Sequence, residues 1–326
     1  MEASEDRMRA LVIGASGFAG SAIVKRLLDE GHEVRGLVRR KDAILPQGVE
    51  VWPGTIENPN SIAEAARGCQ AIFVAVAPRP HEEKSKLRWV HVAGIENTIA
   101  AARWAKVERI ILISCADVVL SDEARVHWDE RRSLPKPPIG ARAQAIQLGE
   151  EIALAHSDDQ VGITALRPAW LWGPGDWKGV EQLRKEAKSG GIDLCGSGRN
   201  LVATTYIEHL AEAALCAWRS PKAPGNAYYI ADSDFVELRE FLGQMAQALR
   251  LPPPRPRLSY GIRKLIAALG LGRLPFEEVV RRGQATRFDI QKAIQDLRFE
   301  PFVPMEEGMR RLGEWYSRQA HSFDDR

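Results

Sequence analysis

Three glycines, at positions 14, 17 and 20, lie in the segment GASGFAG. An aliphatic run at residues 10–13 precedes them, and a helical pattern at residues 21–30 follows. A strand that turns tightly into a helix leaves N–H groups free at the helix start, and glycine lets the backbone approach a pyrophosphate. Three spaced glycines alone are a weak signal. Their position between a strand and a helix predicts a site for the phosphates of a dinucleotide.

Three cations end the second predicted strand, residues 33–38, which runs into Arg39, Arg40 and Lys41. An acidic residue at this point normally accepts a hydrogen bond from the ribose 2′-OH of NAD. Cations without an acid favour the 2′-phosphate of NADPH, with NADH left open. The alternative interpretation is a solvated charge run.

The first half of the chain alternates aliphatic runs with helical patterns, which is typical of βαβ units on a parallel sheet. Strands are expected at 10–13, 33–38, 71–76, 109–113 and 163–166, and helices at 90–105 and 141–155. The predicted fold is therefore α/β, a Rossmann-type doubly wound parallel sheet with a smaller, mostly helical C-terminal substrate lobe. The Rossmann domain is expected at 8–169, with a chain return at about 201–232, and the substrate lobe at 170–200 and 233–320.

Composition excludes several classes of protein. The 326 residues include 45 Lys+Arg and 43 Asp+Glu, so the near-neutral charge gives no nucleic-acid footprint. The four cysteines form no CxxC pair, which favours reduced thiols and no metal site. Apolar runs are far shorter than the roughly 20 residues that span a bilayer. We expect a cytoplasmic protein that binds a small molecule, without nucleic acid or an integral membrane segment, and leave a homodimer open.

Further motifs follow one another in a fixed order: EVRGLVR at 33–39, VAGIENTIAAA at 92–102, RIILISC at 109–115, LRPAWLWGPGD at 166–176, YIEHLAEA at 206–213 and FDIQKAIQDLRFEP at 288–301. With the glycine segment, they resemble the extended short-chain dehydrogenases/reductases, closest to the branch of 3β-hydroxysteroid dehydrogenases and dihydroflavonol reductases. The resemblance covers nearly the whole chain. It implies an NAD(P)-dependent oxidoreductase.

The resemblance also implies which residues meet the cofactor. Gly14, Ser16, Gly17 and Phe18 would hold the pyrophosphate, Arg39 the adenosine phosphate, Thr55 and Ile56 would border the adenine, Ala75, Val76 and Ala77 would follow the ribose, and Pro168 and Trp170 would face the nicotinamide. Two positions depart from the family pattern. Thr55 stands where an acid is usual, and His91 replaces a common Asn.

The pair of residues on which the family's chemistry depends is missing. Hydride transfer to a carbonyl builds an alkoxide, so a phenol acidified by a nearby ammonium normally supplies the proton. The family carries this pair as Tyr-x-x-x-Lys, and a Ser or Thr after the preceding strand. Here Ile139 stands at the Tyr position, Ala143 at the Lys position and Cys115 at the Ser position.

Other groups are candidates for the missing chemistry. Cys115, Asp117 and His127 are the candidate catalytic residues, and Arg142 offers a fixed cation in place of the lysine. The alternatives are solvated loop side chains and, for Cys115, a packed thiol.

Three tryptophans gather close to the expected nicotinamide. Trp170, Trp172 and Trp177 follow Pro168 within a few residues, and their flat apolar surfaces suit a planar or lipophilic ligand. We expect Trp172, Trp177 and Ile139 to line the substrate cleft, with packing between the lobes as the alternative.

Three functional hypotheses remain. The first is an atypical NAD(P)H-dependent reductase of biosynthetic metabolism that acts on an activated acceptor, such as an imine, a quinone-like ring or an enone. The second is a non-catalytic NADP-binding redox sensor or scaffold. The third is an enzyme similar to sugar-nucleotide epimerases and dehydratases, which needs a base at the position of Ile139.

Overall fold

The computed structural model describes residues 7–76, 83–256 and 258–324. Its central sheet consists of β1 (Arg9–Ile13), β2 (Glu33–Val38), β3 (Val49–Pro53), β4 (Ala71–Val74), β5 (Arg109–Ile113), β7 (Gly162–Pro168) and β11 (Ala227–Ile230). The strands are all parallel, in the order β3-β2-β1-β4-β5-β7-β11. The order reverses between β1 and β4, so the carboxyl ends of these strands form the crevice where such sheets bind ligands.

Short strand pairs join distant parts of the chain at this edge. They are β6 (Arg125–Trp128) with β13 (Thr286–Phe288), β8 (Trp170–Trp172) with β10 (Thr204–Tyr206), and β9 (Leu201–Val202) with β12 (Val236–Glu237). The first pair matters most for the site, because it brings a C-terminal strand beside the segment that follows β5.

The helices are α1 (Phe18–Asp29), α2 (Pro59–Ala66), α3 (Lys84–Arg88), α4 (Gly94–Ala105), α5 (Ala141–Ala155), α6 (Trp177–Lys188), α7 (Ile207–Arg219), α8 (Leu238–Ala248), α9 (Tyr260–Ala268), α10 (Phe276–Gly283), α11 (Gln291–Leu297) and α12 (Met305–Asp324). A π-helical turn, Trp89–Ala93, joins α3 to α4. The single helix expected at 90–105 therefore begins earlier and contains this turn.

The central sheet is covered on both faces. Helices α1 and α7 pack together over one apolar cluster, and α2 and α4 over another. All four residues of β4 and all seven of β7 are buried, which is why these strands are continuous aliphatic runs rather than alternating ones. The predicted Rossmann-type α/β fold is confirmed.

Strands β3 and β6 are among those that the sequence analysis did not predict. The edge strand β3 reads VEVWP and is only partly buried, so it lacks the aliphatic signal of the inner strands. Strand β6, RVHW, lies in a polar stretch, and its partner β13 comes far later in the chain. One ribbon thus spans the expected Rossmann domain and the expected substrate lobe, while β11 of the returning segment completes the sheet edge.

The buried carboxylate of Asp232 joins the returning segment, residues 201–232, to strand β8. Asp232 is 9% exposed and accepts four hydrogen bonds. Its Oδ2 accepts from Trp172 Nε1 at 2.9 Å and Thr204 Oγ1 at 2.7 Å, and its Oδ1 accepts from Tyr206 N and His209 Nδ1, both at 2.7 Å. These donors come from β8, β10 and α7, so this carboxylate fixes how the three elements meet.

His209 extends this connection to the C-terminal segment. Its Nε2 accepts hydrogen bonds from the backbone N–H groups of Phe302 at 3.0 Å and Val303 at 2.9 Å. Because Nε2 accepts and Nδ1 donates to Asp232, the imidazole is neutral with its proton on Nδ1.

Replacing Asp232 by Asn tests this arrangement. An amide has one acceptor oxygen, so its NH₂ group faces two of the four donors, and we expect a loss of about 2–4 kcal/mol in the free energy of unfolding. Urea unfolding measures it. The control is Asp29→Asn, which removes an exposed ion pair with Lys25 and should change stability by less than about 0.5 kcal/mol. Equal effects of the two variants would contradict the role of Asp232.

Candidate active site

The glycine segment forms a turn that other residues cannot make. Gly14 has φ +85°, and a Cβ placed there would lie 2.5 Å from the carbonyl oxygen of Ala75. A Cβ on Gly20 would lie 2.1 Å from the oxygen of Gly14. Gly17 is the N-cap of α1 and has no side chain to cap the first turn. This tight turn at a helix N-terminus fits the diphosphate of a dinucleotide.

The neighbouring candidates lie around this turn. Ser16 is exposed, and Phe18 is half-buried next to Gly175 of the loop between β8 and α6. Arg39 is exposed directly after β2. Its neighbour Arg40 forms an exposed ion pair with Asp42, at 3.4 Å.

The candidates for the adenine and ribose differ in exposure. Thr55 is half-buried, whereas Ile56 is buried against Gly94 of α4, and its carbonyl oxygen accepts a hydrogen bond from Asn97. Ala75 and Val76 follow β4 beside the glycine turn, and Ala77 lies outside the described residues. Pro168 ends β7 and Trp170 begins β8. Apart from Ala77, these positions lie at the carboxyl edge of the sheet, and their cofactor roles remain predictions.

A buried ion pair holds the ends of β5 and β7 together. The Arg167 guanidinium donates to Glu150 of α5, from Nη2 at 2.5 Å and from Nε at 3.0 Å. Glu150 also accepts from Ser114 Oγ at 2.5 Å, and Arg167 Nη1 donates to Tyr229 Oη at 3.3 Å. Although burial opposes it, the charge of Glu150 raises the pKa of Arg167. The Ser114 hydroxyl is therefore engaged by Glu150, and the next residue, Cys115, follows it at the strand end.

Cys115 is a neutral thiol at ordinary pH. Burial raises the pKa of its thiol to about 11, and the nearby positive charge of Arg142 only partly offsets this. The thiolate is the nucleophilic and basic form of cysteine. Cys115 can therefore contact a substrate or donate a weak hydrogen bond, but it is not poised as a base.

Arg142 directly precedes Ala143, which stands at the position of the missing lysine. It is on the first turn of α5, and its Nη1 lies 3.8 Å from Asp117 Oδ2. Across from it, burial lowers the pKa of His91 to about 4, and the charge of Arg142 adds to this effect. His91 is thus a neutral imidazole in the π-helical turn. Arg142 therefore lies within electrostatic reach of Cys115, Asp117 and His91.

The catalytic role of His127 stays a prediction, although the structure places this residue outside the cavity lining that includes Asp117. His127 belongs to β6, has φ +53° and is exposed. The residue of β6 that lines this cavity is Arg125.

The tryptophans also differ from expectation. Trp172 is 1% exposed and packs against Tyr206 and Phe241, while its Nε1 binds Asp232, so its placement in the cleft wall was wrong. Trp177 meets Trp315 of α12 edge to face at 5.0 Å, which is packing between helices.

Trp170, by contrast, lines the cavity beyond the carboxyl ends of β5 and β7, and the Arg281 guanidinium lies 5.0 Å from the centre of its ring. Ile139 is half-buried, lies outside this lining and donates its backbone N–H to Leu120 at 2.7 Å. Neither Ile139 nor the buried Ala143 carries a proton to give.

The residues that sequence reasoning missed come from β6, α10 and β13. They line the cavity together with Asp117 and Trp170: Arg125, Arg281, Thr286 and Phe288. Arg125 sits in a stretch that resembled a polar loop, and the others lie far along the chain. Only the pairing of β6 with β13 brings them together, and no local pattern signals it.

A wider depression elsewhere is not the candidate site. It is lined by Arg7, Arg9, Glu33 and Glu50 at the amino ends of β1 to β3. Open parallel sheets bind their ligands at the opposite, carboxyl edge. Ion pairs such as Arg9–Glu33, at 2.5 Å, already engage its charges.

The fold and the glycine turn define an oxidoreductase of the extended short-chain dehydrogenase/reductase type, and comparison with known proteins narrows this class. The model of the 3-beta hydroxysteroid dehydrogenase/isomerase family matches residues 11–258, most of the chain, so this protein belongs to that family. Named dehydrogenases and reductases recur among its relatives, and the chain is an NAD(P)-dependent oxidoreductase.

Two relatives illustrate the likeness. The chain is 29% identical to a 2-alkyl-3-oxoalkanoate reductase of Stenotrophomonas maltophilia, over 94% of this chain and 98% of that protein. It is 26% identical to a 4-hydroxy-2-methyl-3-oxo-4-farnesyl-3,4-dihydroquinoline-1-oxide ketoreductase of Stigmatella aurantiaca, over 81% of this chain and 80% of that protein.

Solved structures share the fold at low identity. An epimerase of Methanothermobacter thermautotrophicus matches with a TM-score of 0.80 at 18% identity, over 98% of this chain and 95% of that one. UDP-glucuronic acid 4-epimerase of Bacillus cereus, in complex with UDP-glucuronic acid and NAD, matches with a TM-score of 0.74 at 17% identity, over 95% and 99%. At such identities the likeness establishes the fold alone.

Neither a membrane-spanning helix nor a metal site is present among the described residues. No helix there combines the length and apolar character that crossing a bilayer requires. Nor do three or more His, Cys, Asp or Glu side chains in the described ranges come together as a metal site.

The high pKa of Cys115 has a measurable consequence. At pH 8 a thiol of pKa about 11 is about 10⁻³ thiolate, against about 10⁻¹ for an ordinary pKa of 9.0. We expect iodoacetamide to modify Cys115 of the folded protein about 100-fold more slowly than in urea, with a rate that rises as pH approaches 11. Peptide mass spectrometry measures the rate. Rapid modification of Cys115 in the folded protein at pH 8 would contradict this assignment.

Proposed function

We propose that this oxidoreductase uses NADPH to reduce an activated acceptor on an apolar, planar or lipophilic small molecule, without a Tyr/Lys acid–base pair. One observation carries the proposal. At the carboxyl ends of β5 and β7, Asp117 and Trp170 line the cavity and the half-buried Cys115 precedes the lining residue Ala116, while Ile139 and Ala143 occupy the positions of the missing pair. The site can position a ligand and stabilise charge, but it has no phenol to donate a proton.

The cofactor's place follows from the glycine turn. Gly14, Ser16, Gly17 and Phe18 would hold the diphosphate, and Arg39 would contact a 2′-phosphate. The backbone of Ala75 and Val76 and the carbonyl group of Pro168 would border the ribose and nicotinamide. Bound NADPH supplies a hydride to an electrophilic carbon.

The proton must come from elsewhere. Reduction adds one hydride to carbon and one proton to the neighbouring oxygen or nitrogen, or to the far end of a conjugated system. A thiol of pKa about 11 is a weak acid, and His91 is neutral. An imine, quinone-like or enone acceptor lessens the need for an acid, so water or the substrate itself supplies the proton. Arg142 would stabilise negative charge that develops nearby.

The named relatives support a lipophilic substrate. One reduces a 2-alkyl-3-oxoalkanoate, and another a quinoline oxide that carries a farnesyl chain. In this protein, the half-buried ring of Trp170 would provide an apolar contact for a lipophilic substrate of this kind. Both names also fit a role in biosynthetic metabolism.

The second candidate is a non-catalytic NADP-binding sensor or scaffold, and the loss of both Tyr and Lys favours it. The third, an epimerase or dehydratase, needs a base to take a hydroxyl proton. A neutral thiol and Ile139 do not provide one.

Turnover distinguishes these candidates. We expect the purified protein to oxidise NADPH in the presence of an iminium ion, a quinone or a conjugated enone, at least about 10-fold faster than with a simple unactivated ketone. The fall of NADPH absorbance measures the rate. Tight NADPH binding without turnover of any acceptor would instead support the sensor. Equally fast reduction of unactivated ketones would refute the need for activation.

Arg39 tests the choice of cofactor. Replacing Arg39 by Ala removes a charge-assisted contact worth about 1.5–3 kcal/mol, so NADPH should bind roughly 10- to 100-fold more weakly while NADH affinity stays unchanged. Fluorescence titration with each cofactor measures both affinities. The control is Lys25→Ala on α1, whose ammonium pairs with Asp29. An equal loss for NADPH and NADH would contradict a 2′-phosphate contact.

A further inference from the structure

The guanidinium of Arg125 has donors without acceptors among the described residues. Arg125 opens β6, its backbone N–H donates to Ala285 at 3.0 Å, and its side chain is 1% exposed. Its Nε and Nη2 are buried and have no hydrogen-bond acceptor among the described residues. A buried polar group without a partner costs free energy, and a buried charge costs more, so this arrangement requires a reason.

The other two buried arginines show how the fold normally treats such a group. Arg167 is held by Glu150, and Arg282 is held by Glu186 and Glu278 at 2.6–2.8 Å. Each thus has a carboxylate on its nitrogen atoms. Arg125 has none within 4.0 Å in the described part of the chain, although burial lowers its pKa only to about 10, which leaves it charged at neutral pH.

Arg125 is one of the residues that line the cavity beyond the carboxyl ends of β5 and β7, at the candidate active site, and its Nε and Nη2 atoms are buried in this lining. The other charged groups that line this cavity are Asp117 and Arg281. Asp117 lies near Arg142, at 3.8 Å, and Arg281 is paired with Glu278. The three lining groups carry two positive charges and one negative charge, so one positive charge is in excess, and Asp117 attracts Arg125 electrostatically without an ion pair between them.

The two free donors have a particular geometry. Nε–H and Nη2–H lie on the same edge of the planar guanidinium, and this edge matches the two oxygens of a carboxylate. A phosphate dianion would bring a second negative charge close to Asp117, with no second free cation to meet it. The cavity therefore favours a singly charged, planar carboxylate.

We propose that this cavity holds a carboxylate group of the substrate, bound to the Nε/Nη2 edge of Arg125. The proposal rests on the proposed function and narrows its substrate class to apolar acids that carry a conjugated or otherwise activated acceptor. Asp117, which lines the cavity, follows Cys115 by two residues, at most about 7 Å of chain. The carboxylate would thus lie only a few bonds from the carbon that receives the hydride.

Binding of a product-like acid tests the subsite separately from turnover. The probes are 3-hydroxydodecanoate and its methyl ester, titrated calorimetrically against the protein with NADP⁺. We expect the acid to bind about 10- to 100-fold more tightly than the ester, as a charged hydrogen-bonded pair provides. Arg125→Met should abolish this preference. The control Arg287→Met, on β13 beside the exposed Phe235, should keep it.

Stability gives a second measurement that needs no ligand. Because Arg125 has no partner, Arg125→Met should raise the melting temperature of the ligand-free protein by a few degrees. Arg167→Met should lower it, since it leaves Glu150 buried without its cation. A fall in melting temperature for Arg125→Met comparable to that of Arg167→Met would overturn the proposal, because it would make Arg125 a structural residue.

The remaining outcomes separate the two proposals. Equal binding of acid and ester by the unaltered protein, or an acid preference that survives in Arg125→Met, would overturn the carboxylate subsite and leave NADPH-dependent reduction intact. An acid preference lost only in Arg125→Met, in a protein that oxidises no NADPH with any acceptor, would support the subsite while the proposed reduction fails.

Discussion

The buried pair between Glu150 and Arg167 is the interaction on which the site depends. It joins α5 to the last residues of β7, and through Ser114 and Tyr229 it also reaches β5 and β11. A buried pair of this kind contributes little net stability, but breaking it would cost about 3–5 kcal/mol, because one charge would remain without a partner. Its contribution is positional. It fixes the ends of two neighbouring strands, and the cavity lies beyond those ends.

That fixed edge explains how the site is organised without the usual acid–base pair. Glu150 accepts the hydrogen bond of the Ser114 hydroxyl. Burial raises the pKa of the Cys115 thiol, so this thiol stays neutral. Arg142 provides a cation on the first turn of α5. The charges at this edge are mainly positive, so they suit an anionic substrate and a developing negative charge more than proton donation. Positioning and electrostatics are therefore the contributions that these residues can make.

The sequence allowed prediction of the parts that local patterns encode. Aliphatic runs marked the inner strands, and the glycine spacing marked the turn where a Cβ on Gly14 or Gly20 would collide with backbone. Cys115 and Asp117 were found because they directly follow β5. Arg125 could not be found, since its burial depends on β13, which is distant in sequence. Trp172 was misplaced because its partner Asp232 lies in the returning segment, where nothing marks it as an acceptor.

The most direct measurement is a crystal structure of the protein with NADP⁺ and 3-hydroxydodecanoate. The account predicts the diphosphate at the turn of Gly14 and Gly17, the nicotinamide beside Cys115 and Trp170, and the carboxylate within about 3 Å of Nε and Nη2 of Arg125. Nicotinamide bound away from β5 and β7, or an Arg125 guanidinium that binds a carboxylate of the protein itself, would contradict it.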